Sequence, residues 1–150
     1  LRFWGQYELK LDKKGRAKVP SPIRDPLLKE GIQDLIVTMQ ENNGRYCLEI
    51  VPLPVWQDFM ERFEKLPKMD PHVQNIQTIH VVPAQPVTMD AQNRILIPQR
   101  LREKIELERE AVAVAAGDRF QLWKAEVWEE VQSKASAGFA EAKQVLAEKL

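Results

Sequence analysis

The sequence predicts an α+β protein built from two copies of one unit, on three observations. First, the segment Asp12-Lys-Lys-Gly-Arg-Ala-Lys-Val-Pro20 returns 78 positions later as Asp90-Ala-Gln-Asn-Arg-Ile-Leu-Ile-Pro98. Second, each copy of this segment is followed by two β-patterned runs flanking a polar turn. Third, each unit closes on a stretch whose apolar residues recur at helical spacing. The match extends outward, pairing Leu9 with Val87, Leu11 with Met89, Ile23 with Leu101 and Arg24 with Arg102. Trp56 answers Trp128 at an offset of 72, because the first copy has the longer turn.

The elements follow in order. Tyr7, Leu9 and Leu11 alternate with Glu8, Lys10 and Asp12, the period-2 pattern of a half-buried strand. Asp-x-x-Gly-Arg then makes a tight turn, with Gly15 suited to a positive φ. The second copy places Asn93 there, the residue type next most tolerant of that conformation. A short second strand (Arg16–Val19; Arg94–Ile97) ends at Pro20 or Pro98, which cannot donate to a sheet ladder. Strand, turn and second strand read as a hairpin. Ser21, as N-cap, and Pro22 open a helical turn that Pro26 keeps short, and Gln99–Ile105 is its counterpart. Hairpins follow: Leu35–Met39 and Tyr46–Val51 around Gln40–Arg45, and Ala111–Ala116 and Arg119–Lys124 around Gly117-Asp118. In the helix Pro54–Leu66, Trp56, Phe59, Met60 and Phe63 form one apolar stripe. Asp70-Pro71 opens another helix, to about His80. Trp128, Val131, Ala135, Phe139, Ala142 and Leu146 mark a single long C-terminal helix.

The chain has 150 residues, 44% hydrophobic and 29% charged, the balance of an ordinary globular protein. Its lone cysteine, Cys47, forms no internal disulfide, which excludes a disulfide-built secreted domain. No apolar run reaches the ~20 residues of a membrane helix, and no signal peptide is read at the N-terminus. Lys and Arg total 22 and Asp and Glu total 22, a net charge of zero that by itself argues against a nucleic-acid partner. The charges are segregated, however. Residues 1–24 hold seven Lys or Arg against two acids, and residues 84–104 hold four against two. Both basic regions coincide with the repeated turn, while many acids lie on helical segments.

A basic two-stranded ribbon can enter the DNA major groove. Lys13 and Lys14 would neutralise phosphates there, giving affinity without sequence choice. Arg16 and Arg94, directly after the turns, offer the fork that bonds O6 and N7 of guanine together. The competing structural reading has Asp12 and Asp90 bonding turn amides while the arginines pair locally with acids.

These residues resemble the MraZ family of bacterial transcriptional regulators, which duplicates the SpoVT-AbrB unit in one chain. The motifs are Phe3-x-Gly5-x-Tyr7 leading into Leu11-Asp-Lys-Lys-Gly-Arg16-x-x-x-Pro20, then Tyr46–Pro52-Leu-Pro-x-Trp56. They continue with Met89-Asp-x-x-x-Arg94-Ile-Leu-Ile-Pro98 and Gly117-Asp-x-Phe120-x-x-Trp123. The resemblance implies two tandem SpoVT-AbrB-like units, of a swapped-hairpin, double-psi-like β type, related by a pseudo-two-fold repeat. Residues 5–53 are then the first repeat, 54–83 a helical connector, 84–127 the second repeat and 128–150 a C-terminal helix.

The same resemblance implies a cytoplasmic, nucleoid-associated protein without catalytic activity or cofactor. It implies a ring-shaped homo-oligomer on double-stranded DNA, at promoter direct repeats of the cell-division and cell-wall gene cluster, usually as a repressor. Arg16, Lys13, Lys14 and Arg94 are the implied DNA-contacting positions. Copy two departs from the pattern with Ala91, Gln92 and Asn93, so phosphate contact there is expected to be weaker and copy one to dominate.

Two other function classes compete. One is an oligomeric protein-interaction module of the same fold with only non-specific DNA affinity. The other is a hydrolase using Asp12 and Asp90 across a shared pocket, against which their turn positions argue. His72 and His80 lack metal-ligand spacing with Cys47, and no nucleotide or nucleophile motif is present. No metal and no membrane partner are expected.

Overall fold

The structure, a computed structural model, describes residues 1–150. Its strands are β1 (Phe3–Lys10), β2 (Arg16–Lys18), β3 (Asp34–Asn42), β4 (Arg45–Pro52), β5 (Gln85–Thr88), β6 (Arg94–Leu96), β7 (Glu110–Gly117) and β8 (Phe120–Lys124). The helices are α1 (Ser21–Lys29), α2 (Leu53–Phe63), α3 (Pro71–Ile76), α4 (Gln99–Lys104), α5 (Ala125–Ala137) and α6 (Phe139–Val145). A π-helical turn, Gln77–Val81, prolongs α3.

The strands form one antiparallel sheet in the order β1-β7-β8-β4-β3-β5 and a separate ribbon, β2–β6. The order is symmetric about its centre. Each copy's first strand lies at an edge, against the hairpin of the other copy: β1 on β7, β5 on β3. The seam β4–β8 joins the two hairpins, with Leu48, Glu49 and Ile50 opposite Leu122, Gln121 and Phe120. The mixed α+β architecture and the repeat therefore stand, but the hairpin expected between the first and second strands of each copy does not. A turn closes there, yet β1 and β2 part at once, and β2 pairs with β6 of the other copy. The physical reason is burial. Crossing over places Ala17, Val19, Ile95 and Ile97 in one continuous core with Ile23, Leu27, Leu35, Val37, Leu48, Ile50, Leu101 and Leu122.

The opposite face of the sheet is covered by helices. Trp56 of α2 packs on Ile36 and Val51, with Phe59 and Met60 beside it. Val131 of α5 packs on Cys47 and Trp123, with Val127 and Trp128 beside it. The aromatic stripe of α2 is therefore core, and Trp123 joins a cluster that includes Cys47 from the other copy.

Several local expectations are corrected. Ser21 is the first residue of α1 rather than its cap. Pro20 holds the cap position, and its carbonyl accepts from the Ile23 and Arg24 N–H groups at 2.9 and 2.8 Å. Pro26 does not end the helix, which continues to Lys29. An interior proline costs about 3 kcal/mol, while Ile23 and Leu27 are both fully buried, each gaining about 1.5–3 kcal/mol. The turn read as Gln40–Arg45 shrinks to Asn43-Gly44, with φ of 54° and 80°, because β3 runs to Asn42 and β4 starts at Arg45. The single C-terminal helix is broken at Gly138, which adopts φ −100° and ψ 3°. Phe139 and Leu146, expected to continue the buried stripe, are 62% and 41% exposed.

Candidate nucleic-acid interface

The two turns share one geometry. In the first, the Gly15 N–H donates to the Asp12 carbonyl at 2.9 Å and the Asp12 N–H to the Arg16 carbonyl at 3.0 Å. Asp12 Oδ1 accepts the N–H groups of Lys14 and Arg16 at 3.0 and 2.9 Å, and Oδ2 accepts Arg16 Nε–H at 2.7 Å. In the second, the Asn93 and Asp90 N–H groups donate to the Asp90 and Arg94 carbonyls, both at 2.9 Å. Asp90 Oδ1 accepts from the Gln92 and Arg94 amides and Oδ2 from Arg94 Nε–H, all at 2.9 Å. Gly15 has φ 84° and Asn93 φ 62°, the left-handed region that the tight turn requires.

The backbone N–H of Arg16, joined by its side chain and the Lys14 amide, holds the Asp12 carboxyl below its ordinary range. Asp90 is lowered in the same way, first by the Arg94 amide. Both carboxylates are therefore charged partners of the arginines that follow them.

Crossover brings these turns together. The Ile97 N–H donates to the Gly15 carbonyl at 3.0 Å and the Val19 N–H to the Asn93 carbonyl at 2.9 Å, so each turn is bonded to the other copy. In the ribbon, Arg16 lies opposite Leu96, Ala17 opposite Ile95 and Lys18 opposite Arg94. Ala17 and Ile95 point into the core, so Arg16, Lys18, Arg94 and Leu96 share the outward face. Arg16 and Arg94 are diagonal neighbours, about 7–8 Å apart. Lys13 and Lys14 stand exposed on the turn at the Arg16 end, where the other end has Ala91 and Gln92.

Local pairing of the arginines and their availability to a ligand coexist. Within each guanidinium the aspartate bonds only Nε, and no protein group bonds either terminal nitrogen. The carboxylate thus fixes the root of the guanidinium and leaves the two-nitrogen edge free for a planar acceptor pair. Lys18 and Leu96 were missed from sequence. Their signal was present: each lies two residues from an arginine or its ladder partner, on the same strand face.

Other chemistry-bearing residues lie elsewhere. His80 packs beside the rings of Trp56 and Phe59, its Nδ1 2.7 Å from the Met39 carbonyl. Cys47 is fully buried, and that burial, with Glu49 nearby, pushes its thiol up. The main surface groove, about 590 Å³, is lined by Met39, Tyr46, Ile79, Arg100 and Lys104 among others and includes neither Asp12 nor Asp90. No cluster of three His, Cys, Asp or Glu residues could hold a metal ion. No helix is long and apolar enough to cross a membrane.

The family model described as "MraZ protein, putative antitoxin-like" matches residues 3–79 and again 81–149, one match on each copy. The chain belongs to the MraZ family. It is 36% identical over 132 residues to a protein of Acidithiobacillus ferrooxidans, covering 87% of each chain. It is 33% identical over 127 residues to one of Nitrosomonas europaea, covering 85% of this chain and 84% of that one. A Hydrogenovibrio crunogenus protein is 32% identical over 142 residues, 92% of each. All three relatives carry the name transcriptional regulator MraZ, which describes control of transcription rather than a catalytic activity.

Proposed function

We propose that this MraZ-family chain is a sequence-specific DNA-binding regulator of transcription whose reading element is the composite β2–β6 ribbon with its two flanking turns. The observation that carries the reading is the convergence of Arg16 and Arg94. They are 78 positions apart in sequence, yet share one outward face, each with Nε held by an aspartate and its terminal nitrogens unbonded. Guanine offers O6 and N7 to such a fork, at about 1–3 kcal/mol of discrimination per good pair. Lys13, Lys14 and Lys18 add phosphate neutralisation that sets affinity and salt dependence.

In this proposal the sites are guanine-containing direct repeats in the promoter of the cell-division and cell-wall gene cluster, which the protein represses from the cytoplasm, associated with the nucleoid. It acts there as a ring-shaped homo-oligomer. Rotation about a ring places successive ribbons in the same orientation, which suits direct repeats, and several ribbons on one DNA gain through effective concentration.

Gel-shift titration against a direct-repeat promoter and its scrambled version tests the reading. Preference for the promoter by tenfold or more is expected, and Lys13→Ala with Lys14→Ala should mainly flatten the salt slope, by about one for each phosphate no longer neutralised. Equal affinity for both DNAs would overturn it in favour of the interaction module. Mass in solution, with and without that DNA, tests the ring.

A further inference from the structure

Gly15 is buried, although it lies in a turn whose other members are exposed or half-exposed. What covers it comes from the other copy. A Cβ placed on Gly15 would stand 2.4 Å from Cζ of Arg102 and 2.6 Å from its Nε and Nη2. The guanidinium of this half-buried side chain therefore lies flat against the glycine. It is held there because Nε donates to the Ile97 carbonyl at 3.0 Å, while the Ile97 N–H donates to the Gly15 carbonyl. Arg102, Ile97 and Gly15 make a closed clamp reaching from α4 to the first turn.

The counterpart in the first copy does not make the bond that holds Arg102. Arg24, the repeat counterpart of Arg102, gives its Nε to the adjacent Asp25 at 3.0 Å. Copy two has Glu103 at the Asp25 position, and Glu103 is engaged by Gln99 Nε2 at 2.9 Å, which leaves Arg102 uncommitted to a neighbour. The second turn also carries a side chain, Asn93, where the first has bare backbone.

We propose that Arg102 is a positioning residue for the first turn, so that the second copy contributes to DNA reading through α4 as well as through Arg94. The proposal rests on the DNA-reading function above. Its physical content is preorganisation: a turn held before binding loses less freedom on the DNA. Glycine is needed at position 15 for this contact as much as for its φ. Lysine cannot substitute for Arg102, because an ammonium offers no plane to lie on the backbone and no Nε at that place.

The test uses the full chain with Arg102→Ala, Arg102→Lys, Arg24→Ala and Arg16→Ala. Arg102→Ala and Arg102→Lys are expected to lower affinity for the promoter repeat alike, by about tenfold, with the salt slope unchanged. Arg24→Ala should stay within twofold of the parent. Amide hydrogen exchange at Lys14, Gly15 and Arg16, measured without DNA, should accelerate in both Arg102 variants while core amides such as Ile50 keep their protection. Unchanged exchange at Gly15, or full recovery by Arg102→Lys, overturns the clamp. A salt slope reduced by about one in Arg102→Ala also overturns it, in favour of a direct phosphate contact. If Arg16→Ala leaves discrimination intact, the DNA reading has failed, and the exchange data still judge the clamp.

Discussion

Gly15→Ala probes the turn on which both the fold and the proposed interface depend. At φ 84°, an L-residue brings its Cβ too close to the carbonyl, at about 1–2 kcal/mol. The new methyl would also fall 2.4 Å from Arg102 Cζ. Arg102 can swing away, since only the end of a long side chain is displaced, but it then loses its bond to the Ile97 carbonyl. That adds about 1 kcal/mol. Unfolding in urea should therefore show Gly15→Ala less stable by about 2–3 kcal/mol. Gly15→Asn separates the two parts. Asparagine is the residue the second turn already uses at φ 62°, so most of its cost is the displaced arginine, about 1 kcal/mol. A loss below about 0.5 kcal/mol for Gly15→Ala would refute the anchored turn, and equal losses for alanine and asparagine would refute the backbone share.

Three further outcomes are expected. Asp12 has its carboxyl depressed in the folded state, first by the Arg16 amide, so its stabilising contribution is complete above its ordinary value of 3.8 and fades as pH falls through the folded value. Urea midpoints should then show Asp12→Asn clearly weaker than the parent at pH 6, with the gap narrowing steadily as pH falls below 3.8; a gap that does not narrow would contradict this. Trp123 is fully buried, 5.6 Å from Trp128 by ring centroids and bonded through Nε1 to Gln121 Oε1. Trp123→Ala should cost about 3–5 kcal/mol in the same assay, and under 1 kcal/mol would show the cluster to be dispensable. Residues 139–150 are all exposed, so their removal should leave the unfolding midpoint unchanged; a drop of several degrees would show that α6 is packed.

The repeat was legible because both copies keep the residues a tight turn needs: an aspartate to cap it, a residue tolerant of positive φ, and an arginine after it. The exchange of first strands was not legible in the residue pattern; only the family resemblance implied a swapped hairpin. Alternation in Tyr7–Leu11 says that one face is buried and says nothing about which strand lies alongside. Lys18 and Leu96 joined the candidate interface only once β2 was seen against β6. Pro26 illustrates a local rule outweighed by tertiary burial of Ile23 and Leu27. Gly138 shows the converse: helical spacing continued through it, but no core lay beyond to hold the next turn. The charge sum of zero hid the basic turns because it averages them with acidic helices.

In the proposed function, arginines from both copies read DNA together on one ribbon. The specificity ratio, affinity for the direct-repeat promoter over its scrambled version at fixed salt, tests it most directly in Arg16→Ala and Arg94→Ala. Both ratios should fall, each by roughly five- to a hundredfold. A ratio unchanged by either substitution would contradict the composite ribbon as the reading element.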